Sequence, residues 1–322
     1  MAAGPDASVE HVTTLPSGEP IDSSAPPSLA PPGNKASAGA VLAAAPSHAD
    51  AFLSHLYRCL QTRAGADVVL LFLCYATRLS GSVLETLSRP VLRRSARRLV
   101  AMALKLPPAT TVVLSSATPQ PPLAAFALQL GGRFKAMAAL VSETRTMGRL
   151  WGLLGLYFAA KKLILKSRAA RQQKCAEKSP EETQDAAEHL FDTVVAYAQV
   201  VSLISYQACE NMAYLSSKKV LPFSPATQGR LSLISVRSWG LYVGMELGRL
   251  LVERSRKVTS GEAVKDAQWA AGWTKSFTRN LSWAPLTVHW SMRNGPLPDL
   301  AVSLLAAYPS TGAMMDLWRD TA

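Results

Sequence analysis

The sequence predicts an all-α fold: a membrane-associated helical bundle with amphipathic basic helices and one to three hydrophobic, potentially membrane-spanning helices. Three observations carry this. Long Leu/Val/Ala stretches recur with helical spacing. Charged residues make up 17% of the 322 positions and hydrophobic residues 48%, against about 25% charged in an average soluble domain. The net charge of +12 is gathered in one block interleaved with the apolar runs. Composition alone also suits a soluble Ala/Leu-rich bundle.

The charge block is sharply bounded. Residues 1–50 hold one base, Lys35, and five acids. Residues 51–180 hold 20 bases and 4 acids, and residues 181–322 hold 13 of each. Such a block suits nucleic acid or anionic lipid. The interleaved apolar runs favour an anionic phospholipid membrane. No zinc-finger spacing, ribonucleoprotein motif or helix-turn-helix pattern accompanies the charge, so nucleic acid is not expected as a partner.

Eight prolines among Ala, Ser and Gly over residues 1–49 predict a disordered tail, with the helical domain covering 50–322. A helical pair over about 50–62 and 65–79 opens it. Ten uncharged residues, Val68 to Thr77, are too few to span a bilayer and read as a buried helix. Residues 89–106 predict a basic amphipathic helix, with Ser88 as cap and Pro90 in the first turn. Its apolar face is Leu92, Ala96, Leu99, Met102 and Leu106. Arg93, Arg94, Arg97, Arg98 and Lys105 supply the charge. A proline-rich linker, 107–123, follows.

A second amphipathic segment covers 131–151. Met137, Leu140, Met147 and Trp151 form its apolar face, and Lys135, Ser142, Arg145 and Arg149 its polar face. It continues into the apolar run Leu150–Ile164, closed by Lys166, Arg168, Arg171 and Lys174. Basic flanks around a Trp/Tyr-bearing apolar middle describe an interfacial helix; a helix with a merely solvated basic face gives the same pattern. Lys135, Arg145, Arg149 and Trp151 are therefore candidate membrane-binding residues beside the arginines of 89–106.

Ser179, Pro180 and Glu182 form a capping signature for a helix reaching about Ser216. Within it Leu190–Ala208 carries one charge, Asp192, and approaches the length of a span. Pro222 and Pro225 break the chain. The helix over 229–254 carries Gly240, Gly244 and Gly248 at four-residue steps, a face that admits a second backbone, from another copy or from the same chain. A polar stretch, 255–268, precedes the aromatic block Trp283–Trp318, in which Leu300–Ala313 looks like a membrane segment kinked by Pro309.

Catalytic signatures are missing: no GxSxG, P-loop, HExxH or dinucleotide fingerprint. No enzyme activity, cofactor or metal is expected. Cys59, Cys74, Cys175 and Cys209 show no CxxC spacing, which suits a reducing compartment. His289, between Val288 and Trp290, reads as a hydrogen-bonded structural residue, and Glu210 as a buried anchor. Asn280-Leu281-Ser282 matches a glycosylation sequon, a pattern short enough to arise by chance. The N-terminus has no apolar signal core, and the last residues, Asp320-Thr321-Ala322, are not the tripeptide that directs proteins into the peroxisome lumen.

Several segments together resemble the peroxin-11 family of peroxisomal membrane proteins. Gly65-Ala-Asp67 followed by leucines, Tyr75 and Arg78 is similar to the family's opening helix. Phe134–Leu150, with Ser142, Arg145 and Arg149, is similar to its basic amphipathic helix. Tyr206, Glu210, Ala213, Tyr214 and Leu215 match a Tyr-x-x-x-Glu-x-x-Ala-Tyr-Leu block. Leu231-Ser232, Ser235, Arg237 and Trp239 match a Leu-Ser-x-x-Ser-x-Arg-x-Trp pattern, and Trp318 the closing tryptophan. Arg149-Leu150-Trp151-Gly152-Leu153-Leu154-Gly155 is similar to a fungal, C-type-like branch. The stretch 80–130 is longer than the family pattern, and the first 50 residues have no counterpart. The resemblance implies a peroxisomal membrane location and a role in peroxisome proliferation, by membrane elongation ahead of fission. It implies self-association, contact with dynamin-related fission machinery and with the peroxisomal membrane-protein import receptor. By position in that pattern, 133–151 is the expected remodelling helix, and 89–106 is second by charge. A small-metabolite channel and a soluble scaffold that touches membranes are the competing expectations.

Overall fold

In the computed structural model the described residues are 38–105, 107, 121–176, 183–259 and 267–322. The chain is all-α. Its helices are α1 (Ala38–Leu60), α2 (Arg63–Ala103), α3 (Pro122–Gly148), α4 (Gly152–Ala176), α5 (Thr183–Ser217), α6 (Pro225–Thr259), α7 (Ala267–Trp290) and α8 (Asp299–Asp320). A single 3-10 turn, Arg149–Trp151, joins α3 to α4.

Several boundaries differ from the sequence expectation, each for a local reason. Helix α1 starts at Ala38, inside the stretch expected to be disordered, because the Ala-rich run there has high helix propensity; residues 1–37 lie outside the described residues. The expected helices 65–79 and 89–106 are one helix, α2, of 41 residues. Thr62 caps it, its side chain accepting from the Gly65 N–H at 3.0 Å. Ser88 is not a cap: its hydroxyl donates back to the Leu84 carbonyl at 2.6 Å. Pro90 sits in the helix interior, where it removes the bond to the carbonyl four residues back. The proline linker lies mostly outside the described residues, and α3 begins at Pro122, earlier than expected. The cap predicted at Ser179 also falls outside them.

Helix α5 ends one residue past its expected end. Its C-terminus is a Schellman turn: the Lys219 N–H bonds the Ser216 carbonyl at 2.9 Å and the Val220 N–H bonds that of Leu215 at 2.9 Å. Lys219 takes the left-handed position, with φ of 61°. Ser224 then accepts from the Thr227 N–H at 3.2 Å, and Pro225 opens α6 without loss, as a first-turn proline does.

The helices form a closed ring in the order α2, α3, α5, α6, α7, α8 and back to α2. Helix α4 packs outside against α5, and α1 spans the ends of α2 and α8. Within the ring α2 runs antiparallel to α3, α5 to α6, α6 to α7 and α7 to α8, as their cross-helix pairings show. Where α2 crosses α3 the backbones meet: a Cβ on Gly81 would lie 2.8 Å from the Gly131 carbonyl oxygen. The centre is aromatic. Trp239 lies 5.4 Å from Trp283 and 5.8 Å from Trp290, and Tyr75 lies 5.7 Å from Trp283. Leu71, Leu203, Tyr206, Tyr242, Val243, Leu286, Val302 and Ala306 complete this core.

Polar side chains are threaded through the same interior. Gln199 donates to Glu246 at 2.8 Å, Ser235 to the Tyr206 carbonyl at 3.0 Å, and Ser82 and Ser303 bond each other at 2.9 Å. Asn280 is buried, its amide donating to the Ser276 carbonyl, so the sequon is a chance match. His289 Nδ1 accepts from the Leu297 N–H at 3.1 Å and fixes the α7–α8 turn.

Candidate membrane interface

The amphipathic segment 131–151 turns toward other helices the basic face expected at the membrane surface. Met137, Leu140, Met147 and Trp151 point outward, 47 to 66% exposed. The basic side chains point inward to carboxylates on other helices. Arg145, 7% exposed, pairs with Asp67 of α2 at 2.9 Å. Arg149 donates to Glu210 of α5 at 2.8 Å. Lys135 bridges Glu85 of α2 and Asp299 of α8, the latter at 2.6 Å. Arg145 and Arg149 are thus corrected from surface to interior residues, and Lys135, one-third exposed, from a free to a paired residue. The cause is partner supply: Asp67 and Glu210 lie largely buried, Glu85 and Asp299 stand nearer solvent, and a buried charge is tolerated only when paired. A remaining deficit sits here too, since Arg149 Nε and Glu210 Oε2 are buried without a partner.

Trp151 keeps its assignment to the outer surface. It heads a broad apolar face on α4, with Leu154, Tyr157, Phe158 and Leu165 exposed and Lys161 and Lys166 beyond them. Tyr157 and Phe158 touch edge-on at 5.3 Å. Helix α6 carries a second outward ridge that sequence reading missed: Ile234, Leu241, Leu251 and Val258 are exposed. Their spacing, with Gly244 and Gly248 between, was the available signal, a three–four repeat along one stripe.

The three glycines at four-residue steps in α6, Gly240, Gly244 and Gly248, divide. Gly240 packs inside the chain, where an added Cβ would lie 3.2 Å from Thr287. It is withdrawn from the self-association set. Gly244 and Gly248 face open space, with nothing within 4 Å of an added Cβ.

In the other basic helix Arg89 pairs with Glu85, and the arginines after it have no ion-pair partner among the described residues. Beyond Ser88 no described residue of α2 is buried, because α2 overruns the ring. Arg93, Arg94, Arg97, Arg98 and Lys105 are all exposed, and among the described residues none has an ion-pair partner. Val91, Val100, Met102 and Leu104 are exposed between them. This arm presents charge and apolar surface together, the pattern of an interfacial helix.

Among the described residues, α2 is the one helix long and apolar enough by length and composition to cross a membrane. The ten-residue run judged too short belongs to this longer helix. Helix α5 does not reach the same criterion, since Gln199, Ser202 and Gln207 interrupt Leu190–Ala208. Asp192, Glu246 and Arg249, with Glu210 the polar residues that a channel lining would need, are held in pairs: Asp192 with Arg256 at 3.0 Å and Glu246 with Arg249 at 2.6 Å. No protein-family model, curated protein or solved structure matches this chain.

Proposed function

We propose that this chain is a membrane-embedded helical bundle of the peroxisomal membrane that elongates the organelle membrane ahead of fission. One observation carries the membrane part: apolar side chains of α3, α4 and α6 face outward while charged and polar side chains pair inside. In water such an arrangement leaves apolar surface unburied, at about 25 cal/mol per Å². In lipid it is the expected one, because polar groups then act as glue between helices. The peroxisomal address and the link to proliferation rest on the peroxin-11 resemblance.

The arm of α2 and the outer face of α4 are the remodelling surfaces. Seating Trp151, Leu154, Tyr157 and Phe158 among the lipids expands one leaflet and favours curvature. Free arginines on the arm add about 1 kcal/mol each at an anionic surface. The ridge of Leu241, Gly244, Gly248 and Leu251 is the surface for a second copy, which would concentrate the wedges. Remodelling is favoured over the channel reading because the polar candidates for a lining are taken up in ion pairs.

Two measurements test this. The tagged full-length protein is overexpressed beside a peroxisomal matrix marker, and membranes are extracted at alkaline pH. Signal ringing the marker, elongated or multiplied peroxisomes, and protein retained in the extracted membrane are expected. Release into the supernatant would return the chain to a soluble scaffold, and unchanged peroxisomes would remove the remodelling role.

A further inference from the structure

The exposed arm of α2 has a second property that general attraction to lipid does not require. Thr86, Arg89, Pro90, Arg93, Arg94 and Arg97 line an open, solvent-facing groove of about 370 Å³ along one side of α2; that groove is the hollow. These positions are spaced by three and four, so they share one helix face. From Arg89 to Arg97 the helix rises about 12 Å, and four arginines share that length of one face. Arg89 is partly engaged by Glu85, which also holds Lys135. Among the described residues Arg93, Arg94 and Arg97 have no anionic partner.

Pro90 shapes the floor. It has no N–H, so the Thr86 carbonyl is left without its helical donor. The proline ring also carries no long side chain to fill the groove. The hollow lies more than a turn before the end of α2, outside the reach of the negative helix terminus.

We infer that this hollow is a binding site for a polyphosphate: the headgroup of a multiply phosphorylated inositol lipid, or a free inositol polyphosphate. One phosphate engages one or two guanidiniums in bidentate fashion. Three unpaired arginines and a shared fourth therefore exceed what a single phosphate or a carboxylate headgroup uses. A cluster of phosphates on one ring supplies enough anionic oxygens to engage all of them. The site rests on the proposed membrane reading only for its lipid source; the phosphate chemistry is independent of it.

The test uses the full-length protein in detergent micelles. It is titrated with a dioctanoyl bisphosphorylated phosphoinositide, dioctanoyl phosphatidylserine, inositol hexakisphosphate and a short single-stranded RNA. The phosphoinositide is expected to bind at least tenfold more tightly than phosphatidylserine. Arg93→Gln with Arg97→Gln is expected to weaken it at least tenfold. Arg133→Gln with Arg230→Gln removes the same charge from exposed positions off the arm and is expected to change it less than threefold. Inositol hexakisphosphate binding as tightly as the lipid assigns the site to a free polyphosphate; much weaker binding assigns it to the headgroup. Equal losses in the two double variants, no preference over phosphatidylserine, or tighter binding of RNA would overturn the site. Alkaline extraction separates the two ideas: a protein that is released yet keeps the preference retains the site and loses the embedding.

Discussion

Arg145 and Asp67 stand 78 positions apart and meet in a two-bonded pair, Nε to Oδ1 at 2.9 Å and Nη2 to Oδ2 at 3.1 Å. The pair ties α3 to the first turns of α2 inside the bundle. Removing one member of such a pair leaves an uncompensated buried charge, a loss of about 3–5 kcal/mol. Arg145→Glu should therefore unfold or strongly destabilise the protein in detergent, read as the denaturant midpoint of its helical signal. The exchange Asp67→Arg with Arg145→Glu should recover most of that loss. An Arg145→Glu protein with an unchanged midpoint and no membrane elongation would return Arg145 to the membrane surface.

The same residue shows where the sequence stopped being legible. Helical periodicity separates Met137, Leu140 and Met147 from Lys135 and Arg145 without saying which face turns inward. That choice depends on Asp67, Glu85, Glu210 and Asp299, which come from three other helices. Local signals read better. The break at Pro222 and Pro225 and the end of α5 follow from proline chemistry and the loss of apolar spacing. Pro90 misled because a proline inside a long helix resembles one in a first turn; only the continuous backbone distinguishes them. The free arginines of 89–106 were visible as a charged face, but that they outrank 133–151 as a surface was not.

Gly244 and Gly248 lie on the exposed ridge of α6, with nothing near an added Cβ. Alanine at either should raise the stability of the isolated chain by about 1 kcal/mol, the difference in helix propensity. Self-association should fall, because the methyl groups hold a second backbone away. Denaturant midpoints and crosslinking in membranes measure the two effects separately. Greater stability with undiminished crosslinking would place the contact between copies elsewhere.

Lys219 holds a left-handed conformation at the end of α5, where glycine is the usual occupant. An L side chain pays about 1–2 kcal/mol there. Lys219→Gly should raise stability by about 1 kcal/mol after the added flexibility of the unfolded chain is subtracted. The substitution also leaves the Lys218–Glu143 pair in place. A lower midpoint for Lys219→Gly would show that the lysine side chain contributes more than its backbone costs.

Asp299, the first residue of α8 and outside any span, receives Lys135, Arg78 and Ser82. Partial burial raises its pKa, but the three hydrogen bonds outweigh burial and hold it at about 2, below its ordinary value near 3.8. A lowered folded-state pKa stabilises the fold while the group is ionised in both states. That contribution is complete above about pH 4 and is lost as the pH falls toward 2. The carboxylate is nearly half exposed, so solvent screening limits each pair to about 1 kcal/mol or less. Asp299→Asn should therefore lower the denaturant midpoint modestly at pH 6, and the gap from the unaltered protein should close between pH 4 and pH 2. A gap that stayed constant over that range would mean that Asp299 acts through helix capping geometry and not through its charge.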